Sequence, residues 1–334
     1  DGSRIELSEH NLIHEQQTRL ALLCRRSMAL PIGRGMFTLA SAPAQLTEAL
    51  RIAPLILKGH TSPHAATIDM DVSALPADHL MWPEFHNGAA AAMRLAPPDC
   101  GRKDTGELGR QWIVYNRPRA QQHAHAGLLL GLGLQGHLLA LANTDLYRYM
   151  SQGHAVTMMA VLLGMAAARR GSMHNAIAKM LCLHVPALHP PSFTELELEV
   201  PALVQIAALL GIGLLYQGCA HRLMTEVLLG EIGRQPTNEL IGCRESYSLT
   251  AGMALGMLGL GHGSDAAGLA DLQLEDKLGT YMHGQDPALP FFLDDAGLTH
   301  PQGLATSRCY RISEGPTINI DVTAPGATLA LGLI

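Results

Sequence analysis

The chain has 334 residues, a formal net charge of −6 and mixed charge signs throughout, so it offers no basic run on which phosphate-backbone binding could rest. Hydrophobic residues make up 48% and charged residues 16%, a balance that suits an extensive buried core and excludes a disordered chain. Aromatic residues are only 4%, against 34 glycines and 15 methionines; small and flexible side chains must do much of the packing, which favours close backbone approach.

In chain order, residues 8–30 read as one amphipathic helix. Ser8 can cap it, Ile13, Leu20 and Leu23 share an apolar face, and Pro31 ends it. Residues 31–80 read as irregular or extended, with short apolar pieces such as Met36 to Leu39 and Leu55 to Leu57. The expected first region is therefore 1–82, a helix plus an irregular, β-containing linker. From residue 83 the character changes, apart from a polar loop expected over 97–111.

Internal repetition organises the rest. A small residue, three positions and then a glycine preceded by leucine recur at Gly127/Gly131, Ala160/Gly164, Ala207/Gly211, Gly252/Gly256 and Thr328/Gly332, with Gly88 to Ala92 as a degenerate earlier copy. The anchors Gly131, Gly164, Gly211 and Gly256 lie 33, 47 and 45 positions apart, the range of helical repeats. In three copies a second glycine follows seven residues later: Gly171, Gly218 and Gly263. Behind two of these, Met173, Ile177, Met180 and Leu181 match the offsets of Ala220, Met224, Val227 and Leu228, one face of a helix. Each unit thus reads as an inner helix apolar all round, a glycine turn, and an amphipathic outer helix. Glycine inside a helix costs about 1 kcal/mol relative to alanine, so a recurrent one must gain something, and closer helix approach is the expected gain. The turn glycines can adopt positive φ. The chain stops at Ile334 inside an apolar run, which reads as a piece of a longer protein.

Chemistry-bearing patterns are weak. Gly131 to Gly136, GLGLQG, fits G-x-G-x-x-G, but a dinucleotide loop needs a strand before it and an acidic residue about 20 positions on. Asp145 lies 14 beyond Gly131, and the segment is in register with copies that lack the motif. No P-loop or G-x-S-x-G elbow occurs. His10 and His14 are four apart, yet Asn11 stands where a zinc helix needs glutamate. His123 and His125 read as ordinary polar residues. Arg25-Arg26, Arg169-Arg170 and Arg244-Glu245 read as solvated faces, local ion pairs or part of a protein-binding surface. Six cysteines stand without a C-x-x-C pair, so zinc ribbons and disulfide frameworks are not expected, and a reducing compartment is the simplest reading. Residues 202–220 and 246–264 carry no Asp, Glu, Lys or Arg, but they lack aromatic belts and flanking basic clusters, so no membrane span is expected.

The small-x-x-Leu-Gly units with a glycine turn resemble proteasome/cyclosome repeats. These occur in two scaffold subunits of the proteasome regulatory particle and in the largest subunit of the anaphase-promoting complex. The chain is similar to the latter family through long strings: MALPIGRGMFTL from Met28, FHNGAAA from Phe85, WIVYNRP from Trp112, GIGLLYQGCAHR from Gly211, EVLLGEIGR from Glu226, RESYSLTAGMALGMLGLGHGS from Arg244 and INIDVTAPGATLAL from Ile318. The resemblance implies a mainly α fold, a toroid-like α-α superhelix of helical repeats over 83–334, cut at its C-terminal end. It implies a non-catalytic scaffold in a ubiquitin ligase that controls mitosis, with no cofactor and no catalytic or metal-binding residues. The implied partners are the cullin/RING module, the tetratricopeptide subunits, a Doc-type subunit and a co-activator, with no nucleic acid, membrane or small molecule. The implied location is nucleus and cytoplasm. Residues 99–111 depart from the family as an insertion, 285–310 do not align with it, and the β-propeller expected ahead of this region is missing from the sequence. Exposed inner surfaces at the cut end would make the isolated piece prone to aggregation. Two readings compete: a proteasome scaffold, which shares the repeats but not the strings around Trp112 and Tyr247, and a dinucleotide-dependent enzyme, which rests on GLGLQG alone.

Overall fold

The computed structural model of the chain describes residues 11, 13–15, 17–18, 46–60, 67–98, 108–120, 122–189, 200–235, 237, 240, 242–263, 268–284 and 318–334. It is mainly helical and divides into two compact units, 1–164 and 165–334. The expectations for Ser8, Leu20, Leu23, Arg25-Arg26, Met36 to Leu39 and 285–310 lie outside the described residues, as do 99–107.

In the first unit, residues 11, 13–15, 17 and 18 are helical, with Ile13 exposed. The expected extended region contains a two-stranded antiparallel hairpin, β1 (Leu57–His60) and β2 (Thr67–Met70), registered with Lys58 opposite Asp69. Those two side chains form an exposed ion pair at 3.1 Å. Four helices follow: α1 (Ala77–Met93), α2 (Arg110–Tyr115), α3 (His123–Leu134) and α4 (Asn143–Met150). The start of α2 corrects the polar loop expected over 97–111. Leu108, Trp112 and Ile113 are buried, and an apolar triplet at that spacing pulls Arg110 and Gln111 into a helix whose far side is wet. Arg110 also reaches α4, with Nε and Nη2 donating to the Asp145 carboxylate at 2.5 and 2.9 Å.

The boundary between the units falls within α5 (Ala155–Ala168). The second unit continues with α6 (Asn175–Cys182), α7 (Ala202–Leu215), α8 (Arg222–Ile232), α9 (Arg244–Leu258), α10 (Leu274–His283) and α11 (Ile320–Leu333). Helix α9 packs on both α7 and α11, with α8 against α9 and α10 against α11. Along α7, Val204, Gln205, Ala207, Leu209 and Gly213 point in widely different directions and all are buried, as an inner helix enclosed by its neighbours requires. Helix α6 is one-sided: Ile177, Met180 and Leu181 are buried, while Asn175, Ala176 and Lys179 are exposed.

Candidate functional site

The glycines singled out by sequence have distinct structural environments. In the first unit, α3 meets α1 through two glycines. A Cβ on Gly127 would overlap the Phe85 carbonyl oxygen, and one on Gly88 the Ala124 carbonyl oxygen. A Cβ on Gly131 would lie 2.6 Å from the Ala92 Cβ and 2.7 Å from the Ala89 oxygen. Two residues on, Gly133 looks the other way: its Cβ would overlap Gly164. A helix advances about 100° per residue, so positions i and i+2 lie on nearly opposite faces. Gly131-Leu132-Gly133 therefore clears room on two sides of one inner helix.

The same device recurs in the second unit as Gly211-Ile212-Gly213. A Cβ at Gly211 would lie 2.6 Å from Leu181 Cδ2 and 3.5 Å from Ala166 Cβ, on one side; at Gly213 it would lie 2.6 Å from Ala254 Cα, on the other. Sequence reasoning missed Gly133 and Gly213, although the G-x-G spacing carried the signal. Helix α9 is shifted within this scheme. Its Ala254 faces α7, and Gly256, the residue aligned with Gly211 by sequence, faces α11 through Leu333 and Ala330. Gly252 abuts Gly326 of α11, and a Cβ at Gly332 meets nothing within 4 Å.

The segment GLGLQG is helical through Leu134, and the residues before it are helical too. Gln135 caps it, and Gly136 turns the chain away with φ 89°. The amides of Gly131 and Gly133 thus serve a helix, with no strand leading into them as a pyrophosphate cradle would need.

The later glycines form turns. Gly171, Gly218 and Gly263 have φ of 66°, 65° and 65°, the left-handed conformation that costs glycine least. The next matched positions correct the sequence reading. Met173 and Ala220 are not the first residues of an outer helical face. They sit in the turns with φ of 50° and 45°, ahead of α6 and α8, and Met173 is exposed. The backbone hydrogen bonding of the turn outweighs the apolar periodicity there.

Two further expectations are corrected. His125 is not an ordinary polar residue: it is 6% exposed, stacked near Tyr149 with ring centroids 6.0 Å apart. Burial first, and the Arg117 charge second, press its pKa down to about 4. Its Nε2 and the Tyr149 hydroxyl are buried without a hydrogen-bond partner among the described residues. Arg244 is not on a solvated face either. It is 4% exposed, and its Nε donates to the Arg234 carbonyl at 3.3 Å. Arg169 and Arg170 are exposed. Arg244 borders a buried polar network at the junction of α8 and α9. The Tyr247 hydroxyl donates to the Glu231 carboxylate and accepts from Arg234 Nη1 at 2.8 Å; Arg234 also contacts Glu231 and Gln205 Oε1, each at 3.3 Å. Burial first, and the Glu231 charge next, push the Tyr247 pKa up, so it remains a neutral donor.

Among the described residues, no group of three or more His, Cys, Asp or Glu could hold a metal ion, and no helix is long and apolar enough to cross a membrane. Along α11 an open apolar groove of about 810 Å³ is lined by Leu249, Ile320, Ala324, Pro325, Leu329 and Leu333.

Comparison with known proteins accounts for both halves of the chain. A family model described as APC1 fourth domain matches residues 2–170, and one described as APC1 fifth domain matches 175–334. The chain belongs to the anaphase-promoting complex subunit 1 family. Relatives named anaphase-promoting complex subunit 1 from Mus musculus and Homo sapiens are each 46% identical over 335 residues, covering 98% of this chain and 16% of the relative. The Dictyostelium discoideum protein of that name is 44% identical over 276 residues, 83% of this chain and 12% of the relative. A protein from Emericella nidulans named negative regulator of mitosis is 33% identical over 279 residues, 82% of this chain and 13% of its own length. The chain thus spans about one sixth of the length of its mouse and human relatives. The subunit 1 family match covers both the Gly131-Leu132-Gly133 and Gly211-Ile212-Gly213 devices.

Proposed function

We propose that this chain is part of a non-catalytic scaffold subunit of the anaphase-promoting complex, a multisubunit ubiquitin ligase controlling mitotic progression through degradation of cell-cycle regulators. In this reading residues 83–334 are a repeat domain, preceded by the helix and irregular segment of 1–82. Its helices form a toroid-like α-α superhelix, with Gly131, Gly164, Gly171, Gly211, Gly218, Gly256, Gly263 and Gly332 as its repeat glycines. The observation that carries the proposal is the near-complete match to the subunit 1 family over helix pairs whose contacts run through glycine. Such contacts build a rigid surface and leave outer helices and connecting loops for neighbours.

The proposed partners are the cullin/RING module, the tetratricopeptide subunits, the Doc-type subunit and the co-activator, met in the nucleus and cytoplasm. Affinity capture of the full-length protein from mitotic cells tests this directly. Recovery of cullin-type and tetratricopeptide subunits supports it; capture that recovers proteasome subunits instead, or neither set, overturns it.

A further inference from the structure

The last four carbonyls of an α-helix have no partner in their own helix and are commonly satisfied by residues just beyond its end. In the second unit three helix ends gain partners from distant turns as well, beside local bonds such as those from the Tyr216 and Gln217 amides to the Ile212 and Leu214 carbonyls. Near the end of α7, the carbonyls of Leu214 and Leu215 accept from the amides of Gly171 (2.9 Å) and Met173 (3.1 Å). At the end of α9, the carbonyls of Met257 and Leu258 accept from Gly218 (3.0 Å) and Ala220 (3.1 Å). At the end of α11, Ile334 accepts from Gly263 at 3.1 Å. The donors lie 43 positions (171 to 214), 39 positions (218 to 257) and 71 positions (263 to 334) earlier in the chain. Each comes from the glycine turn of the preceding helix pair.

The turns also touch one another. A Cβ on Gly171 would lie 3.3 Å from the Gln217 oxygen, and one on Gly218 would lie 3.6 Å from the Leu260 oxygen. His262 Nε2 is 2.8 Å from the Gly218 carbonyl oxygen. The left-handed backbone of Met173 and Ala220 belongs to the same arrangement. A non-glycine residue avoids this conformation, and it persists where the surroundings over-determine it. Here the second donor of each turn, two residues after the glycine, is held in that conformation while its amide meets the next carbonyl of the neighbouring helix.

We propose that these turns are capping elements supplied in trans, and that they pass order forward along the chain. The inner helix of each pair is completed only when the turn of the preceding pair has formed. The coupling is directional: loss of the Gly171 turn uncaps α7, and loss of the Gly218 turn uncaps α9, whereas loss of α9 leaves the carbonyls of α7 satisfied.

Residue-resolved hydrogen exchange on the full chain tests this. The amides of Gly171, Met173, Gly218 and Ala220 should be strongly protected although they lie in turns between helices. Gly218→Ala, which disfavours φ of 65°, should speed exchange in the last turn of α9 by about tenfold or more and leave α6 unchanged. Ala220→Gly keeps the donor and removes the strain, so it should fold and retain or raise that protection. Unprotected Gly218 and Ala220 amides in the unsubstituted chain would overturn the proposal, whether or not Gly218→Ala folds. So would a Gly218→Ala variant that loosens α7 alone.

Discussion

Alanine at Gly213 and at Gly230 should move stability in opposite directions, although both are glycines inside helices. The local term is the same: alanine is better than glycine in a helix interior by about 1 kcal/mol. Gly230 lies on the exposed face of α8, and a Cβ there meets nothing within 4 Å. Gly230→Ala should therefore stabilise by up to about 1 kcal/mol. At Gly213 the new Cβ would stand 2.6 Å from Ala254 Cα, 2.8 Å from its Cβ and 3.0 Å from its oxygen. Carbon atoms prefer about 3.5–4.0 Å, so α7 and α9 must part by about 1 Å. The obstacle is backbone, which has no rotamer to give. Overpacking of this kind costs about 1–3 kcal/mol. Comparing the two variants cancels the propensity term, leaving Gly213→Ala below Gly230→Ala by about 1–3 kcal/mol. In a unit of this size that is about 2–4 °C in melting midpoint per kcal/mol. Gly211→Ala should fall between them, because the nearest atom there is Leu181 Cδ2, the far end of a side chain that can rotate. The measurement is urea unfolding followed by circular dichroism, with thermal midpoints as a check. If Gly213→Ala unfolds at or above the Gly230→Ala midpoint, the close approach of α7 and α9 is not what holds that glycine.

Acid should weaken the first unit through His125. Its folded pKa of about 4 lies below the ordinary 6.5, so the stability it confers as a neutral group is present above pH 6.5 and lost as pH falls towards 4. The full loss is about 3 kcal/mol, and the difference in urea midpoint between His125→Leu and the parent chain should narrow or change sign from pH 7 to pH 4.5; a constant difference refutes it. Tyr247→Phe should destabilise by about 1–3 kcal/mol, because Glu231 loses a buried donor and Arg234 an acceptor; an unchanged unfolding midpoint would show that the network is not holding α8 to α9. Ala220→Gly should stabilise by up to about 1–2 kcal/mol, since it relieves a φ of 45°, and a lower melting point contradicts the strain.

Much of the fold was legible in local pattern. A helix that is buried all round must be apolar all round, so α7 announces itself in a run without charge, and α6 in the i, i+3, i+4 spacing of Ile177, Met180 and Leu181. Positive φ at Gly171, Gly218 and Gly263 was expected because only glycine adopts it cheaply. Other features depend on what one segment meets in another, and periodicity cannot report that. Met173 and Ala220 carry apolar side chains at helical offsets, yet the carbonyls of distant helices hold them in left-handed turns. Gly256 matches Gly211 by sequence but turns to α11, because α9 presents Ala254 to α7 instead. His125 and Arg244 are polar by composition and buried by context. The sequence by itself determined that segments such as α6 and α7 are helical and where glycine turns the chain, since those follow from each residue's own conformational cost and hydropathy, while its long strings carried the family resemblance. Only the tertiary structure decided which glycine faces which helix and which turn completes which helix end, because those contacts join residues about 30 to 77 positions apart and depend on backbone geometry that no single residue carries.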